Sequence, residues 1–425
     1  MAPKKGKGKK GKKKKLKGMV EHPGDLVKKL QRIYVNNCNQ KKSAICPGIK
    51  SLMKRCAEDD KLIVKFILEP IPSWEDPELS NVQLEPLLMA IRHERYKWIK
   101  EVHIWEIPLK HEDVASLALT LEKGPYPIHR LELFNCDLQA YALERLLRNA
   151  SSFTTPLTIL NLDDNQFGDE GVKGLCKGLK NNKTLLSLSL CYCDLGVESG
   201  IMLGEILSST AIRDVYLNGN NLETEGAIEL VKLLADHAEM ESWERADMVE
   251  RKAEEEAEAA LLAKEKERVE TAMSGDSKPG SAKSKKILQG KKKKRKGKRS
   301  KKSKGPPPPP PVGPLIHKLH LADNGIDSYG KGSTYGPVIA MRLFRKLIQH
   351  SECLKELDLD DNQIGDLGGR QVMEGLEQRA SAGLPGMKVS VTHMMNGQTF
   401  SSIMKLGAGL KKKKKKGKGK KKKKK

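Results

Sequence analysis

Residues 157–167 read LTILNLDDNQF, with apolar side chains at Leu157, Leu160, Leu162 and Phe167 and an amide at Asn165. The same spacing, L-x-x-L-x-L-x-x-N/C-x-L, places Ile128, Leu131, Leu133, Cys136 and Leu138 one unit earlier. It returns at Leu185, Leu188, Leu190, Cys193 and Leu195, then at Ile212, Val215, Leu217, Asn220 and Leu222. The starts at 128, 157, 185 and 212 are separated by 29, 28 and 27 residues. The alternating leucines read as a short strand. The linking stretches 168–182 and 224–237 carry apolar residues at helical spacing after an acidic start. A strand and a helix of this size cannot bury an apolar face alone, so only stacked neighbours make a core.

These residues resemble the leucine-rich-repeat family, and the repeat length resembles its ribonuclease-inhibitor-like subtype. The resemblance implies an α/β leucine-rich-repeat solenoid: a horseshoe arc with a parallel β concave face and convex helices. Outlying units fit the pattern. Ile99, Val102, Ile104, Ile107 and Leu109 match upstream, with an isoleucine at the ladder position. Ile316, Leu319, Leu321, Asn324 and Ile326 match downstream, as do Leu354, Leu357, Leu359, Asn362 and Ile364. A degraded unit near Met387–Met395 suits the end of a stack.

The register breaks once. From 212 to 316 is 104 residues, 76 more than one repeat of 28. The excess is an acidic helix-forming stretch, a lysine run and Pro306–Pro311. This layout resembles ciliary leucine-rich-repeat proteins whose repeats are split by a charged, lysine-rich insert. The expected organisation is a Lys-rich tail (1–18), a capping region (19–98), a first repeat block (99–237) and an acidic helical arm (238–274). A Lys-rich and polyproline insert (275–314), a second repeat block with its cap (315–405) and a Lys-rich tail (406–425) follow. Within the cap, the run Leu62–Leu68 reads as a strand and Gln83–Lys97 as a helix. The absence of Gly and Pro between Gly226 and Gly275 lets the arm run as one helix of ~70 Å.

The net charge of +25 is unevenly placed. Residues 1–18, 283–304 and 411–425 hold ten, fourteen and thirteen basic residues. Removing those 37 from the 79 Lys and Arg leaves 42 against 54 acids, a net of −12 for the remainder. The lysine segments are too polar to offset chain entropy by burial, so disorder is expected there. Their candidate polyanion-binding residues are Lys12, Lys13, Lys14, Lys15, Lys292, Lys293, Lys294, Arg295, Lys411, Lys412, Lys413 and Lys414. Nucleic acid, anionic lipid and the acidic tails of tubulin all suit them; a solubilising role needs no partner. Aromatic residues do not interleave with the basic runs, so nucleic-acid contact would be nonspecific.

Catalytic and cofactor signatures are missing. The stretch Gly325–Lys331 satisfies G-x-x-x-x-G-K, but Gly332 stands where Ser or Thr should hold Mg²⁺. Asp358, Asp360 and Asn362 begin a calcium loop that Gln363 and Gly369 fail to complete. No cofactor, metal or enzymatic activity is expected. The eight cysteines lack zinc-type pairing, and Cys136 and Cys193 fall at the ladder position. The opening MAPKKGKG lacks an apolar leader and no run reaches ~20 apolar residues, so an intracellular protein is expected.

Binding is expected on the concave face, where alternate strand residues point. Trp105 and Phe134 fall at equivalent positions of neighbouring units, and Tyr192, Tyr216 and the acids Asp163, Asp164, Asp358, Asp360 and Asp361 fall on the same face. A protein partner with an apolar anchor and basic flanks would fit; coverage of the aromatics by the N-terminal segment is the alternative. On the arm, Trp243 is the candidate docking residue, against a solvated single helix. The leading expectation is a non-enzymatic scaffold of the ciliary or flagellar axoneme, part of a large hetero-complex, with its tails on microtubules. A nuclear or nucleolar adaptor and a repeat-type regulator of an enzyme are the alternatives.

Overall fold

The structure, a computed structural model, describes residues 22–72, 81–148, 157–180, 182–273, 311–329 and 334–407. The lysine-rich tails, the run 283–304, Pro306–Pro310 and the Gly330–Lys331 pair lie outside the described residues. The chain divides into two compact units, one of Met1–Leu179 with Ser187–Asp194, the other of Lys180–Leu186 with Leu195–Lys425.

In the first unit, α1 (Pro23–Lys41) and α2 (Pro47–Glu58) precede β1 (Lys65–Leu68) and α3 (Glu85–Glu94). Four repeats follow: β2 (Glu101–Trp105), α4 (His111–Lys123), β3 (Arg130–Phe134), α5 (Ala140–Leu147), β4 (Ile159–Asn161), α6 (Gly168–Leu179) and β5 (Ser187–Ser189). All pairings from β1 through β5 are parallel and in sequence order. Their register aligns Phe66, Val102, Leu131, Leu160 and Leu188, each buried, into one apolar row. That row is the second consensus position repeated, which is why a gain of one residue would turn the whole face outward.

The second unit holds α7 (Val197–Ser209), β6 (Asp214–Tyr216), α8 (Glu223–Met273), β7 (Lys318–His320), α9 (Gly336–His350), β8 (Glu356–Leu359), α10 (Gly365–Ser381), β9 (Lys388–Val391) and α11 (Gly397–Leu406). Val215, Leu319, Leu357 and Val389 form its buried row across parallel strands. Asp214 pairs with Lys318, so the chain re-enters in register after the long insertion. The helices pack on their successors, and α7 meets α8 through glycines. A Cβ on Gly200 would lie 2.3 Å from the Gly226 carbonyl oxygen, which no side chain tolerates.

The capping region forms the strand expected within Leu62–Leu68 as β1, which pairs with β2, so the sheet begins one step before the Ile99 unit. It also builds α1 and α2, which the sequence reading did not anticipate. Tyr34 is wholly buried there, and its hydroxyl accepts the Cys46 N–H at 3.2 Å. The arm, by contrast, is one helix as expected, of 51 residues and therefore ~75 Å.

At the turn after each strand the backbone turns left-handed at one fixed position. In the first unit this falls on Glu106, Asn135, Asp164 and Tyr192, with φ from +49 to +59. In the second it falls on Gly219, Asp323 and Asp361. Glycine, Asn and Asp tolerate that region better than bulky residues do. The acidity of Asp164 and Asp361 thus has a backbone cause as well as any binding role.

Candidate binding faces on the repeat sheets and the arm

The ladder residues fasten each turn to its neighbours. Asn165 donates from Nδ2 to the carbonyls of Leu133 (2.7 Å), Leu162 (2.8 Å) and Asp163 (3.1 Å). Its Oδ1 accepts the N–H groups of Cys136 (2.9 Å) and Leu138 (3.2 Å). Where the ladder holds cysteine, the thiol donates: Cys136 to Ile104 O and Phe134 O, both at 3.4 Å. Burial pushes the Cys136 thiol up to about 12, so it stays protonated and serves structure.

On the first unit's sheet face, Trp105 and Phe134 are register partners and both are half-buried. The Trp105 Nε1–H donates to Glu132 Oε1 at 2.9 Å. The other oxygen of Glu132 lies 2.9 Å from His103 Nδ1 and 3.4 Å from Arg130. His103 Nε2 also lies 3.2 Å from Glu101. His103, Trp105 and Arg130 together, His103 first, hold the Glu132 carboxyl down at about 2. A depressed folded-state value stabilises above the unfolded value of 4.5, and that contribution disappears as pH falls from 4.5 towards 2. Thermal melts across that range should therefore show Glu132→Gln losing less stability than the parent, by roughly 2 kcal/mol. Equal acid limbs would dismiss the network.

Further along this face Asp163 has internal duties. Its Oδ1 accepts Ser189 Oγ–H (2.7 Å) and the Cys191 N–H (2.8 Å), and its Oδ2 accepts Asn161 Nδ2–H (2.8 Å). Asp164 beside it is half-buried, and its carboxyl is raised by burial and then by the Asp163 charge. Tyr192 is 54% exposed, an aromatic at the left-handed turn position.

In the second unit the Tyr216 ring lies 4.7 Å from that of His320, and Lys318 Nζ donates to the Tyr216 hydroxyl at 3.1 Å. His320 sits 3.6 Å from Asp358 and 3.8 Å from Glu356, yet burial outweighs both acids and lowers its pKa. Asp358 Oδ1 accepts the Asp360 N–H, and Asp360 and Asp361 stand exposed at the turn. Lys388 neutralises Glu356 at 2.6 Å. The structure thus brings Trp105 and Phe134 together, and Tyr216 beside Asp358 through His320. The first unit's aromatics and the second unit's acids are each their own cluster.

Sequence reasoning placed His103, Glu132 and His320 on the concave face but did not single them out as site residues. They share the site between the two strand leucines, so strand register alone makes them lateral neighbours. On the arm, Trp243 is 61% exposed and residues 246–266 are all exposed. Among the described residues no group of three metal-ligating side chains is assembled, and no helix is long and apolar enough to cross a membrane.

A family model described as Leucine Rich repeat matches residues 155–176 and 350–372. The human protein NACHT, LRR and PYD domains-containing protein 13 is 33% identical over 198 residues, 45% of this chain and 18% of that protein. Ribonuclease inhibitor from Sus scrofa is 34% identical over 120 residues, 28% of this chain and 26% of the inhibitor. The mouse ribonuclease inhibitor is 34% identical over 123 residues, with the same coverage. The chain thus spans only about a fifth to a quarter of the length of these relatives. Parallel strand–turn–helix units joined by an Asn/Cys ladder make this an α/β leucine-rich-repeat fold, and the matched segments are similar to those of the ribonuclease inhibitors.

Proposed function

We propose that this protein-interaction scaffold is a structural component of the ciliary or flagellar axoneme, without catalytic activity. Its sheet faces take a protein partner, anchored at Trp105 and Phe134, while the lysine-rich tails contact acidic microtubule surfaces. The observation that carries this reading is the division of charge, with 37 basic residues in three segments against a remainder of net −12. The split of the repeats by a charged insert, as in the ciliary proteins it resembles, supports the same reading. Long-range attraction to polyanions falls with salt, so the tails should act strongly at low ionic strength. Co-sedimentation with microtubules at moderate salt, with and without residues 1–18 and 411–425, tests the tail contact. Loss of pelleting on truncation is expected; equal pelleting would remove it. The basic run 291–305 favours a second reading, a nuclear adaptor. The similarity to ribonuclease inhibitors favours a third, a stoichiometric regulator of an enzyme, for which a tight enzyme partner in pull-downs is the test.

A further inference from the structure

The helix α8 outlasts the body it belongs to. Its first turns are ordinary repeat helix, with Ala227, Leu230, Val231, Leu234 and Ala238 buried. Polar contacts with α9 continue to residue 245: Ser242 Oγ lies 2.8 Å from His350 Nδ1, and Arg245 donates to the His350 carbonyl at 2.7 Å. Beyond that the helix is solvated, yet its apolar pattern does not stop. Met240, Trp243, Ala246, Val249 and Ala253 stand at steps of three, three, three and four, so each neighbours the next, with Ala246, Val249 and Ala253 together on one side of the helix. Met240 is 53% exposed, Trp243 61% and Val249 68%.

Ala246, Val249 and Ala253 also line a groove of about 560 Å³, closed on its far side by Leu384 and His350. Exposed apolar side chains beside a groove mark a contact surface, and a tryptophan is a usual anchor of such contacts. The charge along this stretch of α8 is mostly acidic. From Asp236 to Glu258 it carries ten acids and three bases, with Asp236 and Glu239 already paired to Lys346 of α9. One of the three, Arg245, is engaged with His350 and faces Glu241 and Glu352. Two helices also end at the groove, α9 at His350 and α10 at Ser381, and helix C-termini favour cations. A second copy of this arm would bring like charge against like charge, and polyanions would be repelled.

We infer that the root of the α8 arm, from Met240 to Ala253, is a docking groove for a basic amphipathic helix of a partner protein. The partner's apolar seam lies over Ala246, Val249 and Ala253 with Trp243 at its edge, and its lysines or arginines face Glu250 and the two helix ends. This surface is distinct from the sheet faces and from the polybasic tails, so it gives the scaffold a third kind of contact.

The test uses the full chain and two synthetic 21-residue helical peptides. Both share a Leu/Ala heptad seam, with lysines at the flanking positions of one and glutamates in the other. Fluorescence anisotropy at moderate salt should show saturable one-to-one binding of the lysine peptide, at least tenfold tighter than the glutamate peptide. Val249→Asp is the discriminating variant. It removes apolar surface but adds a charge that attracts a basic peptide, so groove docking predicts at least tenfold weaker binding. Trp243→Ala should also weaken it, while Trp105→Ala, on the sheet face, should leave it unchanged. Trp243 and Val249 are exposed and Trp105 is half-buried, and matched melting temperatures will show that each variant is folded. Binding to Val249→Asp as tight as to the parent would reduce the contact to bulk electrostatics and overturn the inference. A loss with Trp105→Ala of equal size would move the contact to the sheet. Sedimentation equilibrium showing a parent dimer that Val249→Asp dissolves would make the occupant a second copy, and would overturn it too.

Discussion

Replacing Asn362 with alanine should lower the unfolding free energy by about 3–5 kcal/mol, among the largest effects of any single polar residue in this chain. The carboxamide makes five hydrogen bonds from a site that is 1% exposed. Its Nδ2 donates to Leu321 O (2.7 Å), Leu359 O (3.2 Å) and Asp360 O (3.1 Å). Its Oδ1 accepts the N–H groups of Asn324 (3.0 Å) and Ile326 (3.1 Å). Alanine leaves two buried donors without an acceptor, and each such orphan costs about 1–3 kcal/mol. Asn362→Cys should cost about half as much, because the thiol can still donate to carbonyls, as Cys136 and Cys193 do in their own turns. Urea unfolding gives the stability, and hydrogen exchange should locate the damage at the Asn324 and Ile326 amides. A loss under 1 kcal/mol for the alanine variant would mean that water replaces the amide and that the ladder is not a stabilising device.

Arg379→Met should cost a similar amount, about 3–5 kcal/mol, by a different route. The side chain is 2% exposed and its guanidinium meets only carbonyl oxygens. Nε donates to Pro385 (2.7 Å), Nη1 to Ile348 (2.8 Å) and Ser351 (2.6 Å), and Nη2 to Leu354 (3.0 Å). These carbonyls belong to the end of α9, the turn into β8 and the loop after α10. One planar cation thus ties three segments together. Burial alone lowers its pKa, so the charge is held against a desolvation cost that the four carbonyls offset. Lysine, with a compact ammonium and no fork, should recover only part of the loss. Thermal melting compares the three proteins; full stability in the lysine variant would show that charge, rather than the fork, is what matters.

Much of this architecture is legible in residues because burial enforces it. The row of Leu131, Leu160 and Leu188 is a sequence spacing before it is a sheet register. The arm was legible too, since nothing between Gly226 and Gly275 breaks a helix. The strand β1 was legible as an apolar run but not as a member of the repeat sheet. Phe66 and Leu68 fit the alternation, but no ladder Asn or Cys follows them, and prolines at 70 and 72 do instead. The contact between His103, Glu132 and Trp105 depends on lateral pairing of separate repeats, which spacing implies but composition hides. The groove at the arm's root was not legible at all. It sets Val249 near Leu384, residues joined through two intervening repeats and the insert.

The acids proposed as a binding face divide on inspection into two physical kinds. Asp163 is consumed by Ser189, Cys191 and Asn161, so its substitution should disturb the turn before it disturbs a partner. Asp360 and Asp361 are exposed, and charge reversal there should test binding more cleanly.

The axonemal reading is tested most directly by imaging the tagged full-length chain in ciliated cells, alongside an axonemal tubulin marker. The account predicts signal along the axoneme that survives detergent extraction of the membrane. Signal confined to nuclei or nucleoli, with none retained on extracted axonemes, would contradict it.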